Sequence, residues 1–199
     1  MAVLGLLPLY AKVEGGISLE GIPLQGARRE LGTRIGLIPQ NPAESLNPAR
    51  TVQAHLLEAL RPLSLSRRDA RERSAQLLRD FGFPRQARIL KAYPHELSGG
   101  MQQRVLCAIG SACSPAWLLA DEPTKGLDSA LRDQVLDEDT SMLDISVQAQ
   151  ILQILREVRQ RHQLSCLLIT HDRDVAEYMC DRIQTLPSEP RSSLAGQAF

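Results

Sequence analysis

Two short apolar runs, each closed abruptly by polar residues, constrain this chain most. Trp117-Leu118-Leu119-Ala120 ends in Asp121-Glu122, and Cys166-Leu167-Leu168-Ile169 ends in Thr170-His171-Asp172. Runs of this length are too short for core helices and fit strands of a parallel sheet buried on both faces. Parallel strands need helical crossovers, and helix-patterned sequence lies between and before the two runs. The expected class is therefore α/β. Further strands are expected over 16–20 (GISLE) and 35–39 (IGLIP), each bounded by Gly or Pro. Helices are expected over about 51–60, 66–81, 99–113 and 129–162, the second supported by Ala75, Leu77, Leu78 and Phe81 at helical spacing. Residues 1–9 read as the tail of an apolar helix closed by Pro8, and 84–94 as a Pro-bounded connection.

Composition narrows the function classes. Basic and acidic residues balance at 23 each, so overall charge does not point to nucleic acid as a partner. The cysteines Cys107, Cys113, Cys166 and Cys180 form no CxxC pair and no metal-ligand spacing with histidine, which fits buried free thiols in a reducing compartment. No run reaches the roughly 18 to 20 apolar residues that cross a bilayer. MAVLGLLPLY lacks the basic flank of a signal peptide.

Four features follow one another in order. Gln40 ends a strand within IPQNPAESLNP, and Ser98-Gly99-Gly100 opens a helix within LSGGMQQR. Asp121-Glu122-Pro123-Thr124 closes the next strand, with Leu127-Asp128 just beyond, and His171 closes the last. In open α/β sheets, ligands bind outside the carboxyl ends of the strands, where Gln40, Asp121, Glu122 and His171 all fall. Ser98-Gly99-Gly100 offers a hydroxyl, free amides and the positive end of a helix dipole, which together suit an anion. Asp121 suits a Mg²⁺ shell, Glu122 suits orienting or deprotonating an attacking water, and His171 suits contact with a terminal phosphate. Singly each has an ordinary alternative: a turn, a solvated helix cap, a structural histidine. Together, in this order, they point to phosphate chemistry.

In these motifs the chain resembles the ATP-binding subunits of ABC transporters. LSGGMQQR is similar to the signature motif, LLADEPT to Walker B, Leu127-Asp128 to the D-loop, Gln40 to the Q-loop and LLITHD to the H-loop. PQNPAESLNP and Tyr93-Pro94-His95-Glu96 resemble the dipeptide, oligopeptide and nickel importer branch. The resemblance implies a P-loop-NTPase-like parallel sheet core, from residues 1–47 and 116–183, with a helical subdomain over 48–115 that docks on permease subunits. It implies ATP and Mg²⁺ as cofactors, Glu122 and His171 as catalytic residues, and Gln40 and Asp121 as magnesium ligands. Nucleotide contacts would come from Gln40, Ser98, Gly99, Gly100, Gln102, Asp121 and Asp128. Each ATP of the family lies between one subunit's P-loop and the other's signature, so a homo- or heterodimer of ATP-binding subunits is implied, peripheral on the cytoplasmic face of the plasma membrane.

Three departures qualify this. GxxxxGK[ST], whose amides and lysine cradle phosphates, does not occur: Lys12, Lys91 and Lys125 follow Ala11, Leu90 and Thr124. The chain is expected to begin just downstream of that loop and to lack its strand, leaving neighbouring strands with unpaired backbone and exposed apolar faces. Residues 121–136 are echoed at 137–152, by duplication or an imprecise join, with Asp137 and Glu138 expected to be solvated. The Pro/Ser-rich residues 184–199 are expected to be a disordered tail. Two functions stay open: an importer ATPase remnant inactive alone, or a non-catalytic partner lending its signature motif to an intact subunit.

Overall fold

The computed structural model describes residues 15–16, 18–19, 21–23, 32–124 and 147–185. The expected helix over 1–9, Asp128, most of the 121–152 repeat and the tail beyond 185 lie outside them.

The first element is a small antiparallel ribbon, β1 (Ser18–Leu19) and β2 (Ile22–Pro23), turning at Gly21. Gly21 has φ +78°, a left-handed conformation open to glycine without a Cβ clash. The main sheet has three parallel strands in the order β3 (Ile35–Ile38), β4 (Trp117–Asp121), β5 (Ser165–Ile169). Ile38 lies opposite Ala120, and Asp121 opposite Ile169, so all three strands finish at one edge. β4 is central, and its Leu118, Leu119 and Ala120 are buried, as the apolar run requires.

The crossover from β3 to β4 is a helical region. It comprises α1 (Pro42–Ser45), α2 (Val52–Ala59), α3 (Arg67–Asp80), α4 (Gln86–Lys91) and α5 (Gly99–Gly110). Helix starts follow local chemistry. Thr51 Oγ1 accepts from the Ala54 amide and Ser66 Oγ from the Asp69 amide, satisfying donors the helices leave free. The helices bury a shared apolar stripe: Leu56, Leu60, Leu77, Leu78 and Phe81 are each 2 % exposed or less. Each such side chain contributes roughly 1.5–3 kcal/mol relative to exposure. α4 falls inside the stretch expected to be a connection, and its Ile89 is buried in the same core.

α5 joins this region to the sheet through two glycines. A Cβ on Gly36 would stand 2.0 Å from the Gly110 carbonyl oxygen, and one on Gly110 would stand 2.7 Å from that of Leu37. Only hydrogen fits at either position.

The crossover from β4 to β5 includes α6 (Val147–His162), which packs on α5 and buries Ile151, Leu152, Leu155 and Val158. α7 (Arg173–Met179) follows β5. β5 departs from the buried strand expected of its sequence. Leu167 is 52 % exposed and Ile169 47 %. The Ser165 amide donates to Ala116 O, and Ile169 O accepts from the Glu122 amide, so odd-numbered residues turn their backbone toward β4. By alternation, Cys166 and Leu168 turn theirs to the outer edge, which has no strand partner among the described residues. Among those residues no helix is long and apolar enough to cross a membrane.

Candidate functional site

The strand ends bring two of the expected residues into direct contact. Glu122 follows β4 and His171 lies two residues beyond β5, and the register of the strands sets them side by side. Glu122 Oε1 accepts from His171 Nδ1 at 2.6 Å and from the His171 amide at 2.9 Å. A carboxylate can only accept, so the bond holds a proton on Nδ1. This leaves Nε2 and Glu122 Oε2 with no protein partner among the described residues. The glutamate side chain is 15 % exposed and the imidazole 74 %, so a sheltered carboxylate orients a solvent-facing ring.

Glu122 sits at φ +46°, left-handed backbone that costs a non-glycine residue on the order of 1–3 kcal/mol. Its amide is held by Ile169 O at 2.9 Å and its carboxylate by His171, so the residue is tied to β5 at one end and to the loop after β5 at the other.

Asp121 is the last residue of β4, and Gln40 lies two residues past β3 on the same edge; both are half-buried. Among the described residues, neither the Asp121 carboxylate nor the Gln40 amide is used in a hydrogen bond or ion pair. Both present oxygen donors, the set a hard cation such as Mg²⁺ takes, and Mg²⁺ commonly binds one or two protein groups alongside phosphate. These two residues fit that ion. No cluster of three or more His, Cys, Asp or Glu occurs among the described residues, so a closed all-protein metal cage is not formed there.

Ser98-Gly99-Gly100 stands apart. Ser98 caps α5, its Oγ accepting from the Met101 amide at 3.4 Å, and both Ser98 and Gly99 are exposed. The opposite end of α5, at Gly110, rests on β3. Twelve residues at about 1.5 Å each separate the two ends by about 18 Å. No hydrogen bond or ion pair joins Ser98, Gly99 or Gly100 to Gln40, Asp121, Glu122 or His171 among the described residues. The Gln102 side chain turns inward, its Nε2 donating to Pro94 O at 2.8 Å and to Leu97 O at 3.2 Å. It braces the turn before the helix.

The model of the family described as "ABC transporter" matches residues 3–125. The chain belongs to the ABC transporter family. It is similar to the oligopeptide transport ATP-binding protein AppD of Bacillus subtilis (strain 168), 39% identical over 153 residues, covering 76% of this chain and 42% of that protein. It is also similar to the dipeptide transport ATP-binding protein DppD of Escherichia coli (strain K12), 35% identical over 179 residues, covering 86% of this chain and 50% of that protein. The chain thus spans about half, or less, of the length of these relatives. Among solved structures it resembles the dimeric post-hydrolysis state of the ATP-binding cassette MJ0796 bound to ADP and Pi, with a TM-score of 0.63 and 25% identity. That match covers 83% of this chain and 66% of that one. The α/β, P-loop-NTPase-like class is therefore that of known ABC cassettes.

Within this ABC chain, two residues given no role by the motifs hold the loops beside the site, and His55 holds the segment after Gln40. The Asn47 amide donates to His55 Nε2 at 3.0 Å, and His55 Nδ1 donates to Thr51 O at 2.9 Å. An imidazole that accepts at Nε2 and donates at Nδ1 is neutral, and it staples the loop to α2. A Thr cap followed four residues later by His was the available signal, but it specifies no partner eight residues upstream. Asp172 is the other: its Oδ1 accepts from the amides of Asp174 and Val175 and starts α7 directly after His171.

Proposed function

We propose that this chain carries the signature-bearing helical subdomain (48–115) and the strand-end catalytic edge of the ATP-binding subunit of an importer for peptides or nickel. The observation carrying this is the bond between Glu122 and His171 at the carboxyl ends of neighbouring parallel strands. It couples a carboxylate suited to orienting water with an imidazole suited to a terminal phosphate. Asp121 and Gln40 would hold Mg²⁺, which when bound neutralises phosphate charge. Asp128 would add its D-loop contact. The names of the relatives, oligopeptide and dipeptide transport ATP-binding proteins, support the peptide cargo.

In this reading these 199 residues do not turn over ATP alone, because no GxxxxGK[ST] occurs in them to cradle the phosphates. The separation of Ser98 from the strand ends favours a second reading. Ser98, Gly99 and Gly100 would complete a site on another ATP-binding subunit, in a homo- or heterodimer docked on permease subunits at the cytoplasmic face of the plasma membrane.

ATP binding and phosphate release decide between them. The chain alone is expected to bind ATP more weakly than about 1 mM and release no phosphate. Turnover lost on Glu122→Gln would overturn inactivity. An intact ABC ATPase paralogue should gain turnover when the chain is added, and lose that gain with Ser98→Arg. No gain excludes the partner role.

A further inference from the structure

The end of α6, the whole of β5 and the segment closing α7 enclose a half-open cavity of about 980 Å³. Two thiols line it, Cys166 from β5 and Cys180 from the residue that ends α7, and both are free and half-buried. The other two cysteines do not line it. Cys107 is 1 % exposed within α5, and the Cys113 thiol donates to Ala59 O at 3.2 Å.

One residue of α6 brings the pair together. The Arg159 carbonyl accepts from the Leu164 amide at 3.0 Å, which fixes the entry to β5 two residues before Cys166. Its guanidinium donates to Met179 O at 2.9 Å and pairs with Asp181 at 3.5 Å, the residues on either side of Cys180. Both thiol-bearing segments are thus held to the same turn of helix. The thiols also feel each other: burial first, and then Cys180, push the Cys166 thiol up to about 11, while Arg159 opposes the shift. Burial pushes the Cys180 thiol up as well, and Arg159 again opposes it.

Two sulfurs therefore share a cavity open to small solutes, with a cation beside them that favours thiolate. We propose that Cys166 and Cys180 are an oxidisable pair that a hydroperoxide joins into a disulfide, closing residues 167–179 into a loop that carries His171. The Cys180 sulfur, flanked by the contacts of Arg159, attacks one peroxide oxygen. The O–O bond breaks, and the other oxygen leaves with the Cys180 proton. Cys166 sulfur then attacks the sulfenic acid, the S–O bond breaks, and hydroxide leaves with the Cys166 proton as water. With hydrogen peroxide, two thiols are oxidised to one disulfide and one peroxide is reduced to two waters. Because burial disfavours both thiolates, the reaction is slow at neutral pH and quickens by about tenfold per pH unit toward pH 9. The bridge ties β5 to the end of α7 across His171, and it stands independently of the ATPase reading.

The test oxidises the whole reduced chain with hydrogen peroxide, alkylates the remaining thiols and maps the products by mass spectrometry. Trypsin cuts after Arg161, Arg173 and Arg182, so the expected bridge leaves residues 162–173 joined to 174–182, two hydrogens lighter than the separate peptides. The urea midpoint should rise on oxidation and return with dithiothreitol. Cys166→Ser or Cys180→Ser should abolish the joined peptide, while Cys113→Ser should leave its yield within about twofold. Arg159→Gln should slow its formation by about threefold or more, and Arg159→Lys, which keeps the charge, should recover most of the rate. Absence of the joined peptide from the native chain overturns the proposal, as does a bridge from Cys166 to Cys107 or between chains. So do cysteines that reach sulfinic acid unpaired, or the same mixture of pairings from the native chain as from the chain unfolded in urea.

Discussion

The helical region and the third strand of the sheet both carry large aliphatic side chains, with opposite fates in structure. Leu56 and Leu78 are 0 % exposed, whereas Leu167 is 52 % and Ile169 47 %. The helical region closes on itself: α2 to α5 lie within about sixty residues of one another and bury each other's stripes. A parallel strand cannot do this. Each edge needs a neighbour arriving from elsewhere in the chain, and among the described residues β5 has one on the β4 side only. Self-sufficiency therefore belongs to the helices, and the exposed flank belongs to the sheet.

The largest test of that contrast is truncation. Leu56→Ala should cost about 2–5 kcal/mol, read as a fall in the urea midpoint, because a fully buried side chain leaves a cavity. Leu167→Ala should cost well under 1 kcal/mol. Similar losses at both sites would break the comparison.

Cysteines sharpen it next. Burial pushes the Cys107 thiol in α5 from 9.0 up to about 12, and the Cys166 thiol in β5 up to about 11. Below pH 9 both folded and unfolded chains keep these protons, so neither thiol makes stability depend on pH. Above it the unfolded chain loses them while the folded chain retains them, so stability falls by about 1.4 kcal/mol per pH unit for each thiol. The fall from Cys166 should level off near pH 11 and that from Cys107 near 12. Urea midpoints from pH 8 to 11 should decline in the native chain and flatten in Cys107→Ala/Cys166→Ala.

A smaller effect is expected at the loop joining the two regions. His55→Ala should expose the Asn47 amide to faster hydrogen exchange and cost about 1 kcal/mol. His55→Gln, which can still accept from that amide, should restore protection. If both variants exchange alike, the imidazole staple does not hold the loop. Smallest of all, Leu167→Thr should change stability by no more than about 0.5 kcal/mol while reducing aggregation, since it lowers the apolar character of an exposed strand face.

Much of this was legible in sequence, for reasons that differ by element. α3 and α5 announced themselves because their caps, Ser66 and Ser98, precede clear helical patterns. α4 was hidden: six residues between Pro84 and Pro94 with one buried side chain carry too little periodicity to register. The apolar run of β5 showed that a strand was present but could not show whether a neighbour covers it, because coverage is non-local. At the candidate site, Glu122 and His171 were each legible from their place after a strand. Their bond was not, since it depends on Asp121 pairing with Ile169 across 48 residues of sequence. The staple from His55 to Asn47 left only a Thr cap followed by His, which names no partner upstream.

The glycine contact between α5 and β3 has a mechanical consequence. With Gly110 pressed on the strand backbone and no side chain between them, that end of the helix is held to the sheet. Ser98 stands about 18 Å from it, so a change of about 10° in the helix direction would carry Ser98 about 3 Å. In the proposed role of Ser98, a displacement of that size would decide whether its hydroxyl reaches a phosphate.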